Sequence, residues 1–382
     1  MLILKILFFF SLFILFYIYL GYPALVFLFS FIKNRKIKKA AYEPYVTILI
    51  AAYNEEAGIE DTLKNKLTLN YPKEKLEIIV ISDGSTDKTD DIVKQYPKQR
   101  VKLLRQEPRA GKTAALKMAL PKAKGEILIF SDANSIYEQD AVRKLVRNFN
   151  DPAVGYVTGK MIYANPNGTV IGDGCTTYMK YENFLRRFET KIDSVVGVDG
   201  GIDAVRKDLY QPMNPDQLPD FVLPLKVAKQ GYRVVYEPEA ILKEASLKSS
   251  KDEYKMRVRV SLRALWALWD MRHLIAIKAP KFFAWELFSH KWLRYLSFIF
   301  LIGLYLSNLY LWNQGIYFKI FFLLQSIFYI SAPCSLILEN RGKRSRILYL
   351  PYYFTLINLA SAHAFIKFLL GKKQAIWTPR KG

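Results

Sequence analysis

Twenty-seven consecutive residues, Ile6–Ile32, carry no charge. A helix of that length and composition crosses a bilayer with some tilt, so the rest of the chain must fold around a membrane attachment. A cleavable signal would have a shorter apolar core and a small-residue cleavage site, so the run reads as a retained anchor. Lys5 precedes it, whereas Lys33, Arg35, Lys36, Lys38 and Lys39 follow it. Lysine and arginine collect on the cytoplasmic side of spans, which predicts a cytoplasmic domain at the inner (plasma) membrane. Three further apolar segments lie near Trp292–Trp312, Tyr317–Leu338 and Ile347–Leu370. Lys319 and Lys367 fall near segment ends and can snorkel; His363, deeper in the last segment, reads as a packed histidine without a role. If all three segments cross, the basic loop Glu339–Arg346 is cytoplasmic but the equally basic tail Gly371–Gly382 is outside, against the same rule. Either the tail breaks the rule or the three do not all span.

Residues 42 to about 250 have a different character. Val46–Ala52, Leu76–Ile81, Val101–Leu104 and Ile127–Phe130 are apolar runs too short for helices and fit buried strands. They alternate with helix-compatible segments at Glu56–Leu67, Asp87–Gln95, Thr113–Ala123 and Asp140–Phe149. That alternation predicts an α/β domain with helices on the faces of a parallel sheet. A hydrophobic fraction of 51% excludes a disordered chain. Two cysteines, Cys175 and Cys334, make neither a disulfide framework nor a thiolate metal site. The net charge of +22 admits a nucleic-acid partner, but the basic residues flank membrane segments, so lipid bilayer is expected and nucleic acid is not.

Three strands run into polar clusters: Ala51-Ala52-Tyr53-Asn54-Glu55-Glu56, Ser82-Asp83-Gly84-Ser85-Thr86-Asp87 and Ser131-Asp132-Ala133-Asn134. Ligands bind at the carboxyl ends of strands in open parallel sheets, and Glu55, Asp83 and Asp132 fall on that rim. Caps and turns account for each cluster singly, but not for an acid at every strand end. Asp132 and Asn134 supply oxygen donors suited to Mg²⁺ or Mn²⁺ holding a diphosphate. Gly111-Lys112-Thr113 looks like the end of a P-loop, yet the glycine required earlier is Gln106, and no Gly-x-Gly-x-x-Gly follows a strand. ATPase and dinucleotide readings are therefore dropped.

The ordered set resembles glycosyltransferase family 2 on a GT-A fold. It comprises Val46–Glu56, Ser82–Asp87, Arg109–Leu120, Ser131–Asn134, Gly200-Gly201-Ile202-Asp203-Ala204-Val205-Arg206, Asp220–Leu223 and Gly231–Pro238, covering about 200 residues. Within the family the layout resembles membrane-embedded hyaluronan-, poly-N-acetylglucosamine- and cellulose-synthase-like proteins. The fold implied is an α/β GT-A (Rossmann-like) nucleotide-sugar domain inserted between transmembrane helices, with an amphipathic interface helix. Its divisions are an anchor at 1–40, a catalytic domain at 41–254, interface helices at 255–290, and a membrane region with a basic tail at 291–382. The resemblance implies that Tyr53, Glu55 and Asp83 hold the nucleoside and that Lys112 lies by the diphosphate. It places Asp132 and Asn134 where the family's Asp-x-Asp binds metal and donor. Asn134 is a departure, since a neutral amide holds a divalent ion less strongly than a carboxylate. Gly200 and Gly201 stand in the acceptor loop. Asp220 stands as general base, although Pro219 replaces the acid that precedes it in the family. Taken alone, Asp220 reads as a cap for the helix after it.

Residues 255–277 place Val260, Ala264, Leu268, Met271 and Ile275 at helical spacing, with Arg257, Arg259, Arg263 and Arg272 supplying charge and Trp266 and Trp269 suited to headgroups. Processive synthases carry Gln-x-x-Arg-Trp here. Setting Arg259 on that arginine puts Met256 and Val260 at the flanking positions, so Arg259 is expected near the diphosphate and Arg257 near the acceptor. Loss of the tryptophan favours a short product or a lipid-linked acceptor. The expected activity is inverting transfer from a UDP-sugar to a glycan or lipid-linked acceptor. The rivals are transfer to a polyprenyl phosphate and a non-catalytic membrane scaffold. A partner subunit or homo-oligomer stays open.

Overall fold

The computed structural model describes residues 1–98, 100–164, 169–245, 249–275, 281–340, 347–374 and 376. Residues 46–245 hold an eight-stranded mixed sheet: β1 (Val46–Ala52), β2 (Leu76–Asp83), β3 (Val101–Gln106), β4 (Ile127–Asp132), β5 (Ile136–Tyr137), β6 (Val154–Ala164), β7 (Asp203–Arg206) and β8 (Arg233–Ala245), in the order β3-β2-β1-β4-β7-β6-β8-β5. The first four strands pair in parallel, as the alternation predicts; β7 then runs antiparallel between β4 and β6. Strands buried on both faces need apolar side chains at every position. Ile48, Ile50, Ile78 and Val80 enter one core, while Leu49, Ile79 and Ile81 enter the other.

Helices α1 (Leu2–Phe16) and α2 (Tyr22–Ile32) join through a π turn into one rod; α3 (Ile59–Leu67), α4 (Thr89–Lys94), α5 (Lys112–Ala119) and α6 (Ala141–Val146) cover the sheet. The expected helices all form, but shorter. The segment from Glu56 begins only at Ile59, after the loop through Gly58, and Asp87 stays outside α4, its Oδ1 accepting from Thr89 N at 3.0 Å. Pro121 tightens the end of α5 into a 3₁₀ turn, and another such turn follows α6. After them come α7 (Val170–Ile192), α8 (Pro219–Lys229), α9 (Ser250–Asp270), α10 (Lys281–Glu286), α11 (Leu293–Tyr295), α12 (Ser297–Tyr310), α13 (Ile316–Asn340) and α14 (Tyr349–Leu369).

Among the described residues two helices are long and apolar enough to cross a membrane, Leu2–Ile32 and Ile316–Leu338. Phe282–Tyr295 with Ser297–Tyr310 makes a third candidate if its 55° bend is one broken span. Phe9, Phe10, Phe13 and Phe16 are exposed on the first rod, as lipid-facing groups would be. The last apolar segment behaves differently. Helix α14 packs along α9, with Ala360 and Ala364 against Val258, Leu262 and Leu265. The contacts advance together: Glu253 meets Tyr353 and Trp266 meets Phe368. Beyond α14, Trp266 Nε1 donates to Lys372 O at 2.8 Å and Lys373 Nζ pairs with Asp216 at 2.8 Å. The described start of the tail therefore touches α9 and the loop before Asp220, and α14 is not among the described helices long and apolar enough to cross. Loop residues 341–346 and tail residues 377–382 lie outside the described residues.

In a Cys334→Ser background, Lys373→Cys and Lys229→Cys should both react with an impermeant maleimide from the same membrane face. Labelling from opposite faces would show that α14 crosses.

Candidate active site

Parallel register sets the rim. Ala51 lies beside Asp132, Ala52 beside Ser82 and Asp83 beside Gln106, so three strand ends meet at one height. The loops that leave them are tied together. Asn54, which has φ of 52°, donates its backbone N–H to Ser85 Oγ at 3.2 Å, and Glu55 N donates to Thr89 Oγ1 at 2.9 Å. The Asp132–Tyr137 turn is held from α3: Thr62 Oγ1 donates to Ala133 O at 2.6 Å, Lys66 Nζ to Ser135 O at 2.6 Å and Asn65 Nδ2 to Tyr137 O at 2.9 Å. Lys66 is fully buried over the Tyr137 ring, and burial pushes its pKa well below the ordinary lysine value.

Glu55, Lys112, Asp132, Asn134, Asp220 and Arg259 converge on one pocket. Lys112 Nζ reaches Asp132 Oδ1 at 2.5 Å. Burial opposes the Lys112 charge, but Asp132, Asp220 and Asp203 together hold its pKa above the ordinary value. Burial first, then repulsion from Asp132, Asp87 and Glu244, raises Glu55 to about 7. Asn134 Nδ2 faces Glu244 Oε1 at 3.4 Å. Asp220 occupies the first turn of α8, after Pro219, and its Oδ1 is buried without a hydrogen-bond partner among the described residues. Its pKa is raised chiefly by burial, against the pull of Lys112. A half-buried carboxylate with an unmet oxygen beside an ammonium is poised to accept a proton. Gly200 abuts it: a Cβ there would stand 2.3 Å from Asp220 Oδ2, and φ is +84°.

Other expected residues fall elsewhere. Tyr53 lies outside the pocket, with the Arg109 guanidinium 3.3 Å above its ring. Asp83 is completely buried, accepting from Gln106, Ala110 N at 2.9 Å and Gly111 N at 3.0 Å, so its carboxylate holds the loop before Lys112. Gly201 packs on Leu242. Arg257 is drawn away to Glu253 at 2.7 Å and the Tyr353 hydroxyl at 2.6 Å.

The structure adds groups with no rim position. Arg263 of α9 is buried and donates to the carbonyls of Asp216 at 3.2 Å, Pro215 at 3.4 Å and Gln217, bracing the loop before Asp220. Asp199 lines the pocket, ion-paired to Arg186 and accepting from Met161 N at 3.0 Å. Asp203, fully buried, accepts from Gly200 N at 2.9 Å. Arg263 was visible only as one more arginine of an amphipathic helix, and Asp199 follows Val195-Val196-Gly197-Val198, an apolar stretch that forms no strand.

Residues 47–211 match the family model described as Glycosyl transferase family 2. A Bacillus subtilis (strain 168) protein named probable glycosyltransferase is 28% identical over 284 residues, which are 69% of this chain and 65% of that protein. The poly-beta-1,6-N-acetyl-D-glucosamine synthase of Staphylococcus aureus (strain COL) is 31% identical over 221 residues, 56% of this chain and 53% of the synthase. The chain thus spans between about half and two thirds of the length of these relatives. A mannosyltransferase from Pyrobaculum calidifontis, solved with GDP-Man and Mn²⁺, superposes with a TM-score of 0.72 at 24% identity, covering 95% of this chain and 98% of that one. That likeness establishes a shared GT-A fold. Residues 47–211 form a glycosyl transferase family 2 domain, the domain of sugar-transferring enzymes.

Two outcomes are expected here. Gly200→Ala should cost roughly 1–2 kcal/mol in stability from its backbone conformation, and should cut transfer far more than donor affinity, because the new methyl displaces Asp220; equal loss of both would remove Gly200 from this role. Asp203 is pushed up to about 7 by burial first, then by repulsion from Asp199 and Asp220. Folded Asp203 keeps its proton to about pH 7, whereas the unfolded group loses it near pH 4, so its contribution is intact at about pH 4 and below and fades between about 4 and 7. Thermal midpoints of Asp203→Asn should therefore gain on wild type between pH 4 and 7 by a few degrees, at about 2–4 °C per kcal/mol; parallel pH curves would show that Asp203 is ionised in the fold.

Proposed function

We propose that the chain is an inverting glycosyltransferase that moves a sugar from a nucleotide sugar to a membrane-associated acceptor at the cytoplasmic face, with Asp220 as general base. The observation that carries it is the buried, unpartnered Oδ1 of Asp220 facing the Lys112–Asp132 pair in one pocket. Asp220 takes the proton of the acceptor hydroxyl as that oxygen attacks the anomeric carbon. Lys112 and Arg259 offset the charge gathering on the leaving diphosphate. A single displacement inverts the anomeric centre.

The donor set fits a hard divalent ion. Among the described residues no three acidic or imidazole groups are close enough to hold a metal by themselves. Mg²⁺ and Mn²⁺, however, are commonly held by one or two carboxylates plus phosphate oxygens and water. Asp132 and the Asn134 carbonyl are the residues to hold such an ion, and the repulsion that raises Glu55 marks a place where positive charge is welcome. The ion would neutralise the diphosphate as it leaves. The Mn²⁺ in the structurally similar mannosyltransferase agrees with this assignment. The relative named as a poly-N-acetylglucosamine synthase supports a UDP-sugar donor, while GDP-Man in the mannosyltransferase keeps guanine nucleotides in the test. The same proposal divides the chain into the anchor, the catalytic domain, the interface helices and the C-terminal membrane region.

Purified protein offered UDP- and GDP-sugars with membrane lipid extract should release nucleotide from one donor, and chelator should stop release. Asp220→Asn should lower transfer by about 10²–10⁴-fold with nucleotide affinity retained. Normal turnover in that variant would remove Asp220 as base.

A further inference from the structure

Residues 211–218 lead into the helix that carries Asp220 and form neither helix nor strand. The carbonyls of such a loop need partners from elsewhere. Arg263 of α9 supplies them. Its Nε donates to Asp216 O at 3.2 Å, while Nη2 donates to Pro215 O at 3.4 Å and to Gln217 O. Three consecutive carbonyls thus face one guanidinium. A planar fork of donors meets them in one fixed orientation, which an ammonium does not impose.

The same nitrogen reaches across to the donor side. Nη2 also donates to Thr113 Oγ1 at 3.4 Å, and that hydroxyl donates to Gln217 O at 2.8 Å. Thr113 is fully buried and follows Lys112 in the first turn of α5. Gln217 O therefore ties the helix of Lys112 to the loop before Asp220, and Arg263 holds the joint. Gln217 Nε2 donates to Asp270 Oδ2 at 3.2 Å, so α9 holds this residue by its side chain as well.

Arg263 is 5% exposed, and it lines the catalytic pocket. Among the described residues its hydrogen bonds all go to uncharged oxygens, so its charge is left to act on the pocket. Asp220 lies within its reach. Burial and Asp132 favour the protonated carboxyl, whereas Lys112 and Arg263 favour the carboxylate. Asp203 and Tyr156 also face Asp220 from β7 and β6.

We propose that Arg263 is a positioning residue for the transfer: it holds the loop of the base in register with Lys112, so that the proton acceptor and the cation at the leaving diphosphate stand at a fixed separation. The inference rests on the transferase reading above, in which Asp220 is the base. Arg263 acts through Gln217 and Thr113 rather than on the reacting atoms. Misplacing a catalytic group by about 1 Å can cost on the order of 100-fold in rate, which is the scale of effect such a joint controls.

The test compares full-length wild type with Arg263→Gln, Arg263→Lys and Thr113→Val in nanodiscs. Turnover is followed with the UDP- or GDP-sugar that the release assay identifies, and UDP or GDP serves as the affinity probe. Arg263→Gln should lower kcat by roughly 10- to 100-fold, with nucleotide affinity within about twofold of wild type. With one positive charge gone, Asp220 takes up its proton at higher pH, so the acid limb of kcat should move up. Arg263→Lys keeps the charge without the fork, so its limb should stay in place while kcat recovers only in part. Thr113→Val should also lower kcat with the limb unmoved. Equal losses of kcat and affinity in Arg263→Gln, with an unmoved limb, would make Arg263 a general structural residue and overturn the proposal. Wild-type kcat in Arg263→Lys or in Thr113→Val would overturn it too, and these two decide the matter if Arg263→Gln does not fold. Normal turnover by Asp220→Asn would instead remove the base itself, and the positioning role would fall with it.

Discussion

Everything at the site depends on the parallel pairing of β1 between β2 and β4. A parallel ladder aligns strand ends at one edge, and the helices that cross back leave that edge open. Because Ala51 pairs with Asp132 and Ala52 with Ser82, one residue of slip would turn every β1 side chain to the opposite face. Full burial of both faces of β1 and β2 makes such a slip costly. The rim is thus fixed by apolar residues that never touch a ligand.

The second constraint joins this sheet to the membrane helices. Arg186 of α7 holds Asp199 and donates to Gly197 O at 2.9 Å. One helical turn away on the same helix, Glu182 receives Arg294, and Glu189 accepts from the Tyr22 hydroxyl at 2.6 Å. Lys291 reaches so close to Gly197 that a Cβ there would meet its Nζ at 2.2 Å. Buried ion pairs like these contribute little net stability compared with apolar packing, yet breaking one partner is expensive. Here they fix α7, and hence the loop that carries Asp199 and Gly200, against the anchor and the bent pair. The Asp199–Gly200 side of the pocket is positioned by the anchor and the bent pair, while the Glu55–Asp132 side is positioned by the sheet.

That division explains what could be read from the sequence. Lys112 stood out only through the family resemblance, whereas Glu55 and Asp132 follow short apolar strands and stood out as acids at strand ends; the three do meet in one pocket. Asp83 stood out for the same reason, but strand position does not say whether a carboxylate faces a ligand or its own loop. The later strands were illegible as strands. Gly155 and Gly159 interrupt β6, Pro238 interrupts β8, and their register shifts twice, which hides the alternation that marks a strand. Lys66 and Arg263 were illegible for a different reason. Each is one basic residue on a helix rich in them, and a side chain donating to backbone carbonyls leaves no pattern in composition.

The C-terminal region shows the same limit from the other direction. Hydropathy treats Ile347–Leu370 as one more span, yet α14 carries Tyr352, Tyr353, Asn358 and Ser361 among its buried residues and spends its small residues, Ala360 and Ala364, on close approach to α9. Small residues at such spacing allow two helices to pack tightly whether or not lipid surrounds them. What distinguishes the two cases is the partner. Since α9 also lends Arg263 to the loop before Asp220, and Lys373 pairs with Asp216 in that loop, α14 braces the loop through both neighbours. A helix committed in this way to α9 and to the loop before Asp220 spends on protein contacts the face that a lone span would turn to lipid.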